Sequence, residues 1–266
     1  MMQGWSYDAF GPVAKVLKLS TLPMPELLGG DDVLVKVHCA AINPTDTKQI
    51  QGSLNPLLVQ DKPMKPGMDF SGVVVKTGSR VQRLKEGDAV MGMVRGVRTG
   101  TTCEFIVVDQ AAVSLKPQAL CFVDAAAIPL AAMTAMQCLR EAGLAYPPDA
   151  AAKDKSVFVS GGPGGVGNFA VQLAKHMFGV GRVVTTASTT KVALCKDVLG
   201  ADEVIDYTKQ SFASALSGQS FDALIDCTGD AWSMVPLAKH DGAVISVLSA
   251  RALCGSYRTW PRASLV

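Results

Sequence analysis

The chain has 266 residues, 48% hydrophobic and 18% charged, with a formal net charge of +2. A balance that near zero, with no Lys/Arg cluster in the body of the chain, argues against a nucleic-acid binder. The longest apolar stretch, about 12 residues over 125–136, contains Pro129 and falls short of the roughly 20 that a membrane span needs.

The first part of the chain reads as strands and turns. In Val33-Leu34-Val35-Lys36-Val37-His38 the valines alternate at period two, and Gly72-Val73-Val74-Val75 and Phe105-Ile106-Val107-Val108 are β-branched runs. Turn residues separate them at Gly29-Gly30-Asp31-Asp32, Pro66-Gly67, Thr77-Gly78-Ser79 and Glu86-Gly87-Asp88. These signals predict an all-β module over residues 1–122.

From Asp124 onward helices alternate with short strands. Asp124 stands where it would cap a helix over 124–142, and Ser156-Val157-Phe158-Val159-Ser160 is a short buried strand. Val166, Phe169, Ala170, Leu173, Ala174 and Met177 then follow at helical spacing. Further strands are expected at Arg182–Ala187, Glu203–Asp206, Phe221–Asp226 and 242–248. The alternation predicts an α/β domain, a doubly wound parallel sheet covered on both faces, over residues 123–250. Residues 251–266 form a tail without that periodicity.

Seven cysteines, at 39, 103, 121, 138, 195, 227 and 254, contain no CxxC pair, and the three histidines are dispersed. The cysteines read as reduced, buried small hydrophobes, and no metal site is expected. The N-terminus lacks the layout of a signal peptide, so the expected compartment is the cytoplasm, with an organelle as the alternative.

Between the strand at 156–160 and the next helix lies Gly161-Gly162-Pro163-Gly164-Gly165-Val166-Gly167. It contains Gly162-x-Gly164-x-x-Gly167, the spacing of a dinucleotide loop. One glycine permits the turn, one lets a pyrophosphate approach the backbone, and one lets the helix pack on the sheet. N–H groups at the helix start, from Gly165, Val166 and Gly167, would meet the phosphates. NAD sites place an acid about 20 residues further on, for the ribose hydroxyl. Here Thr185-Thr186-Ala187-Ser188-Thr189-Thr190-Lys191 follows instead, with no acid between His176 and Lys196. Ser188, Thr189 and Lys191 suit a 2′-phosphate, which predicts NADPH; Ser188 also stands where it would cap the helix running to Lys196. Thr228-Gly229 and Leu248-Ser249 follow expected strands, at the carboxyl ends where ligands bind.

The segments Thr186-Ala187-Ser188-Thr189-Thr190-Lys191 and Leu199-Gly200-Ala201-Asp202-Glu203-Val204-Ile205-Asp206-Tyr207 resemble the quinone oxidoreductase-like family. This is the zinc-independent branch of the medium-chain dehydrogenases/reductases, with plant alkenal/enone reductases and chloroplast-envelope quinone oxidoreductase homologues among its types. Ala40-Ala41-Ile42-Asn43-Pro44-Thr45-Asp46-Thr47-Lys48 resembles its "NPxD" segment, Pro66-Gly67-Met68-Asp69-Phe70-Ser71-Gly72 its "PGxDxxG" segment, and Ile128-Pro129-Leu130-Ala131-Ala132-Met133-Thr134-Ala135 its cofactor-domain entry helix. The resemblance implies a GroES-like β-rich domain followed by a Rossmann domain. It also implies NADPH-dependent hydride transfer to an α,β-unsaturated carbonyl or a quinone.

Zinc alcohol dehydrogenases of the superfamily carry a ligand cysteine at the position of Asn43 and Gly-His-Glu in place of Gly67-Met68-Asp69. Asparagine and methionine are poor zinc ligands, so no metal is implied. By resemblance Asn43 lies at the catalytic cleft, its amide a donor to a substrate oxygen or a ribose hydroxyl. Asp46 would orient Asn43 or Lys48, and Lys48 would donate a hydrogen bond or attract phosphates; the proton donor stays unassigned. Thr134 would touch the nicotinamide amide, and Tyr207 would lie on the adenine side.

Relatives extend beyond the last expected strand, so the chain reads as a C-terminally truncated product with an open sheet edge. That edge is often the dimer contact in the family, which makes a homodimer possible but deprived of its usual strand. The alternative function is a truncated, non-catalytic NADPH-binding protein.

Overall fold

In the computed structural model, strand periodicity at the N-terminal end becomes alternating burial. The structure describes residues 1–53, 62–94, 100–247 and 262–265. Two compact units divide the chain, Met1–Leu130 and Ala131–Val266.

In the first unit, β1 (Met2–Ser6) alternates buried and exposed residues and pairs antiparallel with β2 (Lys18–Leu22) as a two-stranded ribbon. The main sheet comprises β3 (Asp32–Ala41), β4 (Asp69–Thr77), β5 (Ala89–Met93), β6 (Phe105–Asp109) and β7 (Val113–Leu115). Its order is β6-β3-β4-β5-β7, antiparallel throughout, which puts β4 at the centre. Val33, Val35, Phe70, Val74, Val90 and Ile106 form its core.

The second unit contains β8 (Ser156–Val159), β9 (Arg182–Ala187), β10 (Glu203–Asp206), β11 (Phe221–Asp226), β12 (Ala238–Ser246) and β13 (Arg262–Leu265). All pair in parallel, in the order β10-β9-β8-β11-β12-β13. Successive side chains of a strand point to opposite faces. Val157, Val159, Val183, Ala223 and Ile225 join one apolar cluster, whereas Phe158, Val184, Leu224 and Val244 join another. Both faces are therefore covered, as a parallel sheet requires. From β8 the chain runs outward through β9 and β10, then returns to the other side of β8 at β11. The carboxyl ends of β8 and β11 thus flank a topological switch point, where open α/β sheets bind ligands.

Three expectations need correction. The helix expected over 124–142 is two helices, Phe122–Ala126 and Pro129–Glu141. Pro129 lacks the N–H that would continue the first helix, and Cys121 rather than Asp124 caps it, its sulfur accepting from the Asp124 N–H. The segment after the glycine loop is helical over Gly165–Gln172 and widens into a π-turn at Leu173–Met177. The tail expected to leave the sheet edge open instead places β13 beside β12, with Ala243 opposite Arg262 and Ser246 opposite Leu265. Among the described residues no helix is long and apolar enough to cross a membrane.

Candidate functional site

Two groups of residues carry the functional signals, one in each unit. In the second unit, β8 ends at Val159 and the loop folds back on β9. The Gly161 N–H donates to the Thr186 hydroxyl at 2.8 Å and the Gly162 N–H to the Thr186 carbonyl at 3.0 Å. A side chain is excluded at two of the glycines: a Cβ on Gly162 would sit 2.2 Å from Thr185 Oγ1, and one on Gly167 would sit 2.2 Å from the Gly161 carbonyl oxygen. These are close approaches of loop to strand and of helix to loop. Gly164 and Gly165 are exposed, and a Cβ on Gly165 would meet nothing within 4 Å. The first-turn N–H groups of Gly165, Val166 and Gly167 have no intrahelical acceptor, as at any helix start. The open face beside Gly165, with these donors and the positive end of the helix, fits a diphosphate.

The neighbouring strand end is built around a carboxylate. Asp226, fully buried at the end of β11, accepts from the N–H groups of Thr228 (3.0 Å), Gly229 (2.8 Å), Asp230 (3.1 Å) and Ala231 (3.1 Å). It also accepts from Ser160 Oγ at 3.2 Å and Ser246 Oγ at 2.8 Å, which ties the ends of β8, β11 and β12 together. Burial works against its anion, yet the bonds from Thr228, Ser246, Asp230 and Gly229 outweigh it and hold the carboxyl below the usual range. Thr228 is exposed; its hydroxyl donates to Ser160 Oγ at 2.9 Å.

Beyond β9, Ser188 stands at the N-cap position of a helical run that begins as a 3-10 turn, Thr189–Lys191, and continues through Leu194–Val198, but its side chain makes no capping bond. The Thr189 hydroxyl donates to Asp206 Oδ2 at 2.6 Å. Asp206 ends β10, so an acid does stand beside this turn, supplied by the next strand. Hydroxyl bonds from Thr189 and Thr208 hold its carboxyl down to about 2. Lys191 and Tyr207 are exposed and Ser188 and Thr134 half-buried. Leu248 lies outside the described residues. A hollow of about 690 Å³ opens at the opposite end of the sheet, but its Lys155 and Lys239 are already paired with Asp222.

In the first unit, Asn43 precedes the helix Pro44–Ile50, with Pro44 at the first helical position, where a missing N–H costs nothing. Asp46, fully buried, accepts from the Asn43 N–H at 2.7 Å and from the Gly67 N–H at 3.1 Å. The side-chain amide of Asn43 donates to Asp69 Oδ2 at 2.8 Å. Asp69 Oδ1 accepts from the Leu130 N–H at 2.8 Å. Burial, partly countered by Asn43 and Leu130 and reinforced by the charge of Asp46, leaves the Asp69 carboxyl pushed up to about 6. Burial likewise raises Asp46. Asn43, Asp46 and Asp69 therefore form one group, whereas Lys48 lies exposed on the same helix. Tyr7 is fully buried, its hydroxyl has no partner, and burial and then Asp46 raise its pKa. Asp69 and Asp226 were missed from sequence as site residues. The "PGxDxxG" segment contained the first, and no local signal marked the second.

Among the described residues no group of three or more His, Cys, Asp or Glu is placed to hold a metal ion. Burial raises the thiols of Cys103 and Cys195, and it pushes those of Cys138 and Cys227 up to about 12; Cys121 is exposed.

Residues 29–118 match the Alcohol dehydrogenase GroES-like domain and residues 165–250 the Zinc-binding dehydrogenase domain. The chain is 41% identical to a 2-methylene-furan-3-one reductase of Solanum lycopersicum, over 94% of this chain and 63% of the relative. It is 39% identical to the chloroplastic NADPH-dependent alkenal/one oxidoreductase of Arabidopsis thaliana, again over 94% and 63%. The chain thus spans 63% of the length of these two curated relatives. The structure of the quinone oxidoreductase from Coxiella burnetii superposes with a TM-score of 0.83 at 33% identity, covering 100% of this chain and 82% of the other. With both domains matched and the fold shared almost throughout, the chain belongs to the quinone oxidoreductase-like family of medium-chain dehydrogenases/reductases.

Proposed function

We propose that the protein is an NADPH-dependent reductase that delivers hydride to an α,β-unsaturated carbonyl or a quinone without a metal. The observation that carries this reading is the glycine loop at the switch point of the sheet, where two close approaches leave an open face of N–H donors. In this proposal Gly162, Gly164, Gly165, Val166 and Gly167 hold the diphosphate. Ser188 and Lys191 meet the 2′-phosphate, and Thr189 shapes that turn through its bond to Asp206. Tyr207 flanks the adenine, while Thr134 and Thr228 border the nicotinamide half.

NADPH, when bound, supplies the hydride. Asn43 directs its remaining amide N–H to the carbonyl oxygen on which charge grows, with Asp46 fixing its backbone. Hydride goes to the β-carbon, and solvent returns a proton to the enolate. Holding cofactor and acceptor in near-attack geometry contributes about 7–11 kcal/mol. Lys48 donates a hydrogen bond or attracts the cofactor phosphates. The names of the tomato and Arabidopsis relatives, both reductases or oxidoreductases of conjugated carbonyls, support the substrate class.

The test is purified protein offered NADPH with a panel of enals, enones and quinones, followed at the nicotinamide absorbance. Oxidation of NADPH in step with loss of the acceptor is expected; saturable binding without turnover would leave a nucleotide-binding protein instead. Lys191→Ala is expected to weaken NADPH far more than NADH, and an equal effect on both would sink the 2′-phosphate assignment.

We assign residues 1–122 to the substrate domain, 123–250 to cofactor binding and 251–266 to an appended tail, and we place the protein in the cytoplasm. Several relatives are chloroplastic or mitochondrial, which keeps an organelle as the alternative; recovery of the native protein in plastids or mitochondria on cell fractionation would overturn the cytoplasmic placement. A homodimer is the proposed assembly, which sedimentation would test.

A further inference from the structure

We propose that Asp69 is a positioning residue of this reductase: its carboxylate grips the Asn43 side chain and the Leu130 amide at once, and it does so only as an anion. This rests on the reading of Asn43 given above.

Asp69 is 1% exposed and opens the central strand β4, with Ala41 of β3 on one side and Met93 of β5 on the other. Its two oxygens serve two donors. Oδ2 accepts from Asn43 Nδ2 and Oδ1 from Leu130 N, each at 2.8 Å. An ionised carboxylate accepts at both oxygens, whereas a protonated one turns one of them into a donor. That hydroxyl would face an N–H, and one of the two bonds would be lost. If the Asn43 amide is released, the donor meant for the substrate oxygen loses its orientation. Asp46 cannot substitute, because it holds the backbone of Asn43 and of Gly67.

The surroundings leave the proton equilibrium of Asp69 within reach of ordinary pH. Burial and the charge of Asp46 favour protonation, Asn43 and Leu130 oppose it, and the carboxyl sits at about 6. Among the described residues, β5 carries no charged side chain, and Lys48 and Asp124 are exposed. His38 on β3 stacks against Phe122 with ring centroids 4.3 Å apart. Lys65, four residues upstream, is half-buried.

The experiment follows kcat for enone reduction at saturating NADPH across about pH 5 to 8, with NADPH affinity measured separately by fluorescence. The unmodified protein is expected to lose activity on the acid side with a midpoint near 6. Asp69→Asn offers a single acceptor; kcat should fall roughly tenfold or more and the acid limb should vanish, with NADPH affinity unchanged. Asp46→Asn removes the neighbouring like charge, so the limb should persist and move to lower pH. A flat acid side in the unmodified protein would overturn the proposal, as would Asp69→Asn keeping both rate and limb. A limb that disappears in Asp46→Asn yet survives in Asp69→Asn would also overturn it. Should Asp69→Asn fail to fold, the other two profiles decide.

If the protein binds NADPH but reduces nothing, the reductase reading fails, and the clamp is read by NMR. The Asn43 side-chain amide resonances, assigned by their loss in Asn43→Ala, should shift with a midpoint near 6. Resonances that do not move with pH would overturn it independently of turnover.

Discussion

Asp226 and Asp69 are both buried carboxylates at strand ends, and the two units treat them in opposite ways. Asp226 is wrapped by four backbone N–H groups and two hydroxyls, so its anion is the favoured form. Asp69 has two donors and a second carboxylate beside it, so its anion is held at a cost. One charge fastens strand ends together permanently; the other holds the side-chain amide of Asn43. The contrast shows that burial alone does not set the state of a carboxylate. The number of donors decides.

The largest test of this contrast is Asp226→Ala. It strands several donors at the ends of three strands and should cost roughly 3 kcal/mol or more in urea melts. A loss below about 1 kcal/mol would mean that water replaces the carboxylate. The contrast sharpens with pH. Burial leaves Asp69 with a folded pKa of about 6, above the ordinary 3.8 of the free side chain. Its contribution to stability is therefore present below about pH 4 and lost as pH rises through 6, by roughly 3 kcal/mol. Asp46 acts in the same direction. Asp226 is lowered by its own ring of donors acting against burial, and Asp222 is lowered to about 2 by Lys239, Ser156 and Lys155, also against burial. Their contribution is present above about pH 4 and lost as pH falls through their lowered values. Hydrogen exchange across this range should show the first unit loosening on the neutral side and the second on the acid side. Parallel behaviour of the two would break the comparison.

Smaller effects bear on the loop and on the Asn43 group. Gly167→Ala should cost about 1–3 kcal/mol in thermal melts and weaken NADPH in calorimetry, because its Cβ meets the Gly161 carbonyl at 2.2 Å. Gly165→Ala faces open space and should change stability by less than about 0.5 kcal/mol. Smallest is Tyr7→Phe, which removes a buried hydroxyl with no partner and should be neutral or stabilising within about 1 kcal/mol. A larger loss would reveal a buried water between Tyr7 and Asp46.

What sequence revealed follows the same division. The glycine loop is encoded by neighbours: Gly162, Gly164 and Gly167 constrain one turn between one strand and one helix, so contiguous residues carry the signal. The Asn43 group is assembled from distant ones, with Asp69 lying 26 residues from Asn43 and 61 from Leu130. No periodicity marks such contacts. Thr189 likewise receives its acidic partner from 17 residues downstream, beyond a window that looked free of acids. The helix break before Pro129 was readable, since proline rarely continues a helix. The pairing of β13 with β12 was not, because nothing in the tail's composition announces a parallel partner.

The buried thiols take on a meaning once the acceptor is a conjugated carbonyl. Such molecules alkylate sulfur by Michael addition, and the reacting species is the thiolate. With Cys138 and Cys227 pushed up to about 12 and Cys103 and Cys195 also raised, these sulfurs stay protonated at neutral pH. Under the proposed function, a catalyst working among electrophiles would thereby be shielded from inactivation by its own feedstock, and among the described cysteines exposed Cys121 is where covalent damage would first be found.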